Sequence, residues 1–207
     1  MTRDYKLLLE GLIKSGYLKT PEIIKAFEKV DRKYFVPKSL AQYAYLNQPL
    51  PIGSSQTISQ PLTVAFMLEL LEPKRGQKIL EIGGGSGWQT AILSEIVGKN
   101  GKVYSFEIVK SLADFGKKNL KRHKLKNIVY KHRDVSKGYE KEAPYDRIIS
   151  GAAFRNIPKE IKNQLKINGI LVAPTQEHDI RKIQRNSKNN FKEDIIPGFV
   201  FVPITTS

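Results

Sequence analysis

Apolar residues recur at helical spacing along the first thirty residues of the chain. One stripe comprises Tyr5, Leu8, Leu9, Leu12 and Ile13, and a second comprises Ile23, Ile24, Phe27 and Val30. Side chains three and four positions apart lie on one face of a helix, and Thr20 followed by Pro21 is typical of a helix start. The pattern predicts two amphipathic helices.

The next stretch, 36–61, has no such periodicity. Prolines interrupt it at Pro37, Pro49, Pro51 and Pro61. The Gly53-Ser54-Ser55 segment supplies turn-forming residues, while the many aromatic and aliphatic side chains argue against disorder. We therefore expect a long ordered loop or lid, and loops of this length inside a compact domain are usually functional.

From residue 62 onward, helical and strand-like patterns alternate. The predicted order is helix 62–71, strand 78–82, helix 87–98, strand 102–108, helix 110–123, strands 127–133 and 145–150, helix 158–167, and strands 169–174, 180–186 and 198–204. This alternation predicts an α/β fold with a doubly wound, mostly parallel seven-stranded sheet. The last two strands have no helix between them, so we expect an antiparallel hairpin at the sheet edge.

A chain of 207 residues is expected to form one domain. In it, residues 1–60 add helices and a loop to a sheet core formed by 61–207. A glycine turn, 83–87, joins the first core strand to its helix. Glycine allows backbone to approach a ligand closely, and the free N–H groups of the next helix lie nearby. The turn therefore indicates a nucleotide-like ligand, although such turns also occur for purely geometric reasons.

The residues around the glycine turn narrow the choice of ligand. A dinucleotide fingerprint needs a small residue where Trp88 or Thr90 stands. The Gly-Lys-Ser/Thr segment of a phosphate-binding loop is absent. Glu81 precedes the turn, and a carboxylate there suits a cationic amine or sulfonium. The pattern favours S-adenosylmethionine over NAD or ATP.

Two more acids follow later strands. Glu107 ends the second core strand, where an acid accepts hydrogen bonds from ribose hydroxyls; the alternative is a solvated charge or a helix-start acid. Asp134 follows the third core strand and can accept a hydrogen bond from an adenine amino group or form a turn. Both acids belong to the predicted edge where parallel strands end.

Composition also bears on metal binding, membrane insertion and attraction to nucleic acid. The chain has no cysteine, and its three histidines, His123, His132 and His178, lack metal-ligand spacing, so we expect no metal. No apolar run approaches the length of a membrane span, and the N-terminus does not resemble a signal peptide. We expect a monomeric cytoplasmic protein. The net charge of +15 predicts weak, non-specific attraction to nucleic acid.

Five segments of the chain resemble the protein-L-isoaspartate O-methyltransferases. They are Val30-Asp-Arg-Lys-Tyr-Phe-Val-Pro37, the pair Pro49-Leu-Pro-Ile-Gly53 and Gln56-Thr-Ile-Ser-Gln-Pro61, Leu80-Glu-Ile-Gly-Gly-Gly-Ser-Gly-Trp88, Pro144-Tyr-Asp-Arg-Ile-Ile149 and Phe201-Val-Pro203. The resemblance implies a Rossmann-like class I fold and methyl transfer from S-adenosylmethionine. The acceptor would be the α-carboxylate of L-isoaspartyl residues in damaged proteins and peptides, whose repair this reaction starts.

The resemblance also implies roles for single residues. Ser59 matches the active-site serine, Thr57 and Ile58 lie beside it at the cofactor, Glu81, Gly83 and Gly85 match the methionyl-binding loop, Glu107 matches the ribose-binding acid, and Asp134 matches the adenine-side acid. The chain departs from the family pattern at three places. Val135 replaces a glycine, Gly84 and Trp88 replace a hydroxyl residue and a tyrosine, and the segment Pro174-Thr175 lacks a following glycine. The last departure bears on peptide selectivity.

The chemistry is consistent with these residues. A carboxylate acceptor is ionised at neutral pH, so no general base is required and the enzyme's task is orientation. The Ser59 hydroxyl can hydrogen-bond the acceptor; alternatively it caps the helix that follows.

Two other functions stay open. A methyltransferase for RNA or another substrate would explain the charge, but we would expect a polar aromatic motif to hold a flipped base where Ser150-Gly-Ala-Ala-Phe154 stands. A non-catalytic S-adenosylmethionine-binding module would lose the acids, which this chain retains.

Overall fold

The computed structural model describes residues 1–206. Its α-helices are α1 (Arg3–Lys14), α2 (Pro21–Lys29), α3 (Pro61–Leu71), α4 (Trp88–Val97), α5 (Lys110–Lys121) and α6 (Lys159–Asn163). Its strands are β1 (Leu50–Gly53), β2 (Gln56–Ile58), β3 (Lys78–Ile82), β4 (Lys102–Glu107), β5 (Ile128–His132), β6 (Tyr145–Ser150), β7 (Leu165–Thr175), β8 (Asp179–Ser187) and β9 (Asn190–Pro197). In this part of the chain, no helix is long and apolar enough to cross a membrane.

The main sheet has seven strands in the order β5-β4-β3-β6-β7-β8-β9. The first five are parallel, and β8 and β9 add an antiparallel hairpin at the edge. The chain runs from β3 outward to β5 and then returns to β6 on the other side of β3. In an open α/β sheet, the ligand crevice lies outside the carboxyl ends of the strands at this switch point.

Neighbouring residues of the central strands point into two different cores. Ile79 and Ile149 belong to a large apolar cluster with α1–α5, whereas Leu80 and Ile148 belong to a second cluster with α6. This separation follows from the two-residue period of a strand. The predicted doubly wound arrangement is therefore confirmed.

The segment between α2 and α3 is ordered, as its apolar content predicts. Two 3₁₀ turns, Arg32–Phe35 and Lys38–Tyr43, precede a hairpin formed by β1 and β2. The hairpin turns at Ser54 and Ser55, whose φ angles are 51° and 56°. Positive φ at both central residues is the conformation that two-residue hairpin turns favour.

The predicted strand at 198–204 is wrong. The last strand is β9, which lies nearly wholly exposed at the sheet edge, so its polar sequence carries no alternation that could reveal it. Two aromatic residues after β9, Phe199 and Phe201, instead pack against the large apolar cluster, and Phe199 stacks on Phe66 at 5.2 Å between ring centroids. Pro203 pairs with Ala153 in an isolated parallel bridge beyond the end of β6.

The predicted helix at 158–167 is too long. The observed α6 ends at Asn163, and β7 has already begun at Leu165. Ile161 and Leu165 are both buried and stand four residues apart, which imitates a helical face. The second of them, however, is the first residue of a strand.

Candidate active site

The glycine turn after β3 lies at the switch point of the sheet. Its N–H groups at Gly83 and Gly84 donate to the Phe106 carbonyl at 2.9 and 3.0 Å, which fixes the turn against β4. Gly87 has a φ of 85°, and a Cβ there would lie 2.9 Å from Leu120 Cγ. The turn therefore needs glycine at this position for its conformation and for its close contact with α5.

Glu107 supports the same turn from the end of β4. Its carboxylate accepts hydrogen bonds from the N–H groups of Gly85 and Val109, both at 2.9 Å, and its side chain is nearly buried at 6% exposure. A solvated strand-end charge is therefore excluded. Each carboxylate oxygen has two lone pairs, so Glu107 retains acceptor capacity at the cleft that it lines.

A first cleft of about 600 Å³ opens beyond the strand ends. Its walls are the glycine turn, the ends of β4 and β5, the β1–β2 hairpin and the C-terminal segment 202–205. Asp134 lies in this wall, and its carboxylate accepts the N–H of Ser136 at 2.8 Å. Asp134 thus both forms a turn and lines the cleft, so the two interpretations of this residue are compatible.

A second cleft of about 380 Å³ lies on the other side of the glycine turn. Glu81 lines it and is fully buried, accepting hydrogen bonds from Gln89 Nε2 at 3.0 Å and from the Thr90 hydroxyl. Burial raises the pKa of the Glu81 carboxyl to about 7, opposed in part by these donors. A cationic ligand group in this cleft would meet a carboxylate that has little water to screen it.

A third cleft of about 840 Å³ adjoins the first two. Its lining residues carry no charge: they are Pro49, Thr57, Ser59, Gln60, Thr63, Gly151, Val200, Phe201, Val202 and Pro203. This is an uncharged pocket in a chain whose net charge is +15.

The segment Thr57–Ser59 lies where these clefts meet. Thr57 lines all three clefts, and Ser59 lines the second and third clefts. Ile58 is buried and lines the second cleft. The helix that follows is capped by Gln60, without a side-chain hydrogen bond. Ser59 is therefore not its cap, and the capping alternative is wrong. The Ser59 hydroxyl makes no hydrogen bond within residues 1–206.

The structure shows the surroundings of the three positions at which the chain departs from the family pattern. A Cβ at Gly84 would overlap Ser105 Oγ and lie 2.6 Å from Tyr130 Cε2, so these side chains occupy the space of a larger residue. Val135 packs into the second core cluster. The segment Pro174-Thr175 lies at the β7–β8 turn and lines none of the three clefts.

Sequence reasoning missed two contributors to the site. The C-terminal segment 200–205 forms a wall of the first and third clefts, although we expected it to be a strand. Arg32 donates hydrogen bonds to the carbonyls of Ile58 and Ser59. Both contributors belong to stretches that resemble a known family, and that resemblance was the only signal in the sequence that pointed to them.

Comparison with known proteins identifies the family. The family model described as Protein-L-isoaspartate(D-aspartate) O-methyltransferase matches residues 3–207. The chain belongs to this family. A protein-L-isoaspartate O-methyltransferase of Ignicoccus hospitalis is 41% identical over 99% of this chain and 98% of its own. A protein-L-isoaspartate O-methyltransferase of Pyrobaculum islandicum is 42% identical over 97% of this chain and 98% of its own.

The solved structures agree with this family assignment. A chain described as a protein-L-isoaspartate O-methyltransferase of Plasmodium falciparum, in complex with S-adenosyl-L-homocysteine, is 25% identical and superposes with a TM-score of 0.87. The match covers 99% of both chains. The predicted Rossmann-like methyltransferase fold is therefore confirmed for this family member.

Proposed function

We propose that this protein transfers a methyl group from S-adenosylmethionine to the α-carboxylate of L-isoaspartyl residues in damaged proteins and peptides, the step that starts their repair. The observation that carries the proposal is the position of Thr57, where two clefts beside the glycine turn meet an uncharged third cleft. Family membership supports the same reaction.

The first cleft fits the adenosine part of the cofactor. Glu107 faces it with unused lone pairs that suit two ribose hydroxyls, and Asp134 offers an acceptor for the adenine amino group. Gly83 and Gly85 present backbone without side chains between this cleft and the second. Thr57 lines the first cleft, and Thr57 and Ile58 both line the second. This set of acceptors suits a nucleoside, whose ribose hydroxyls and adenine amino group are donors.

The second cleft fits the methionyl part. Glu81 is the acid that lines it, and a buried carboxylate attracts an ammonium or sulfonium more strongly than an exposed one. When bound, the cofactor supplies an activated methyl group, which passes to an acceptor oxygen to give a methyl ester and S-adenosylhomocysteine.

Ser59 orients the acceptor. Its hydroxyl is free of other partners in residues 1–206 and lies between the second cleft and the third, so it can donate a hydrogen bond to one carboxylate oxygen. The other oxygen stays free to act as the nucleophile. The carboxylate is already ionised at neutral pH, so no residue has to remove a proton. The uncharged lining of the third cleft also leaves the nucleophile without a cation that would weaken it.

The N-terminal residues 1–60 complete this site on the sheet core 61–207, so that the two parts together form one catalytic domain. A monomeric, cytoplasmic enzyme stays a prediction from the sequence. An RNA methyltransferase is less well supported, because the aromatic residue after β6, Phe154, is buried and has no face open to stack on a flipped base.

The experiment that tests this function compares two peptides. They share one sequence and differ only in an isoaspartyl or an aspartyl linkage. We expect methyl incorporation from labelled S-adenosylmethionine into the isoaspartyl peptide, as a base-labile ester. Equal labelling of both peptides, or labelling of RNA alone, would contradict the proposal.

A further inference from the structure

Arg32 is a fully buried cation without a carboxylate partner. Its side chain has 0% exposure, and no ion pair involves it within residues 1–206. Burial lowers the pKa of the guanidinium to about 10, so it stays charged at neutral pH. Burying a charge is costly unless hydrogen bonds compensate it.

The compensating groups all belong to one segment of the chain. Nη1 donates to the carbonyls of Ala44 at 2.7 Å and Leu46 at 3.5 Å, and Nη2 donates to those of Gln48, Ser59 and Ile58 at 3.0, 3.1 and 3.5 Å. Nε has no partner. One guanidinium therefore gathers carbonyls from both ends of the 44–59 stretch, which contains the β1–β2 hairpin. We call this stretch the acceptor loop.

The same guanidinium also contacts the cofactor side of the site. It lies over the ring of Trp88 at 5.4 Å from the centroid. Trp88 is the first residue of α4, directly after the glycine turn, and its Nε1 donates to the Val30 carbonyl at 3.1 Å. Arg32 thus stands between the acceptor loop and the element that carries the glycine turn.

Resting on the proposed function, we propose that Arg32 is a positioning residue: by holding the Ile58 and Ser59 carbonyls, it fixes the Ser59 hydroxyl relative to the glycine turn. Its charge serves the fold of the acceptor loop and does not meet the substrate carboxylate. The planar fork of arginine suits this role better than lysine, which has only three donors on one atom and cannot reach carbonyls on both sides.

The test compares Arg32 with a second buried arginine. Arg147 is 7% exposed and also donates to carbonyls, those of Leu71 at 2.6 Å, Glu72 at 3.1 Å and Asp146 at 2.8 Å, but it lines none of the three clefts. Methionine and lysine replacements at both positions would be measured for steady-state methylation of an isoaspartyl peptide, S-adenosylhomocysteine affinity, melting temperature and amide hydrogen exchange across 44–59.

We expect Arg32→Met to lower kcat about a hundredfold, the scale of a misplacement of roughly 1 Å, with a much smaller change in S-adenosylhomocysteine affinity. Arg32→Lys should recover part of this loss. Amide hydrogen exchange across 44–59 should accelerate in both Arg32→Met and Arg32→Lys. Arg147→Met should lower the melting temperature without selective loss of kcat and without faster exchange in the acceptor loop.

Several outcomes would overturn the inference. One is full kcat in Arg32→Met, and another is an equal loss of kcat in Arg147→Met at matched stability. If Arg32→Met does not fold, Arg32→Lys provides the test. Wild-type kcat and wild-type amide exchange across 44–59 in Arg32→Lys would then contradict the inference. Failure of the proposed function is distinguishable, because the wild type would then not methylate the isoaspartyl peptide, while the exchange measurement would still test the role of Arg32.

Discussion

The carboxylate of Glu107 accepts the backbone N–H of Gly85 at 2.9 Å, across 22 residues of sequence. The acid that ends β4 thus holds the turn that follows β3, the neighbouring strand. Its second hydrogen bond, from Val109 N–H, ties the same carboxylate to the start of α5. One side chain therefore both shapes the glycine turn and faces the first cleft.

Glu107→Ala should weaken cofactor affinity about ten- to a hundredfold. The reason is the loss of hydrogen bonding to a charged group, a total of roughly 1.5–3 kcal/mol. Calorimetry with S-adenosylhomocysteine measures the change in affinity. Glu142→Ala is a matched control, since Glu142 accepts the Tyr104 hydroxyl at 2.8 Å and lines none of the three clefts. Unchanged affinity in Glu107→Ala would remove this residue from the cofactor site.

Ser59→Ala should lower the rate on an isoaspartyl peptide about ten- to a thousandfold while cofactor affinity stays nearly intact. The loss is moderate because no proton has to be removed. Ser54→Ala provides the control and should keep the wild-type rate, because Ser54 lies in the same 44–59 segment but its hydroxyl is hydrogen-bonded to that of Ser111. Full activity in Ser59→Ala, or abolished cofactor binding, would show that Ser59 does not orient the acceptor.

Glu81 predicts a pH dependence of stability. Burial raises its folded-state pKa from 4.5 to about 7, so its contribution to stability is fully present below pH 4.5 and is lost as pH rises through 7. Between these values the unfolded chain has ionised Glu81 and the folded chain has not. Relative to Glu81→Gln, the wild type should lose roughly 3 kcal/mol over this range. Urea unfolding at several pH values measures the difference, and a constant gap would contradict it.

Gly84→Ala should destabilise the protein by about 1–3 kcal/mol, the usual scale of overpacking. The added Cβ would contact Ser105 and Tyr130, which form the wall behind the glycine turn. Gly11→Ala is the control, because Gly11 lies within α1 with no atom inside 4 Å of its Cβ position. That variant should gain about 0.4–1 kcal/mol. Thermal unfolding distinguishes the two, and equal effects would refute the packing argument.

Nucleic-acid binding should be weak, independent of sequence and abolished between low and physiological salt. Exposed cations are concentrated along α5, β5 and the loop between them, which we call the basic face: Lys117, Lys118, Lys121, Arg122, Lys124, Lys126 and Lys131. None of them forms an ion pair within residues 1–206. Bound phosphates should therefore gather there.

Fluorescence anisotropy with a labelled DNA duplex, titrated with salt, tests this. Replacing five cations of the basic face by glutamine should reduce the slope of log affinity against log salt by about 0.9 for each phosphate that the variant no longer neutralises. The control replaces five scattered exposed lysines: Lys14, Lys25, Lys74, Lys99 and Lys159. Equal reductions of the slope in the two variants would show that no particular face is used.

The sequence by itself determined the parts of the site that follow strand ends. Glu81 and Glu107 lie at or next to the last residues of β3 and β4, the glycine turn follows β3 directly, and Asp134 lies two residues beyond the end of β5. Parallel strands bring their carboxyl ends to one edge of a sheet. Local pattern was therefore enough to predict that these residues approach one another. It was also enough for the helices and for most core strands, because their burial leaves a regular apolar period.

Tertiary structure alone decided the rest, because it depends on contacts between residues that are remote in sequence. The exposed strand β9 leaves no apolar period, whereas Phe199 packs against Phe66 of α3 and residues 200–203 line the third cleft. In the sequence, Arg32 resembles an ordinary surface cation in a charged segment. Only the folded chain surrounds it with the carbonyls of 44–59, whose orientation no local pattern records.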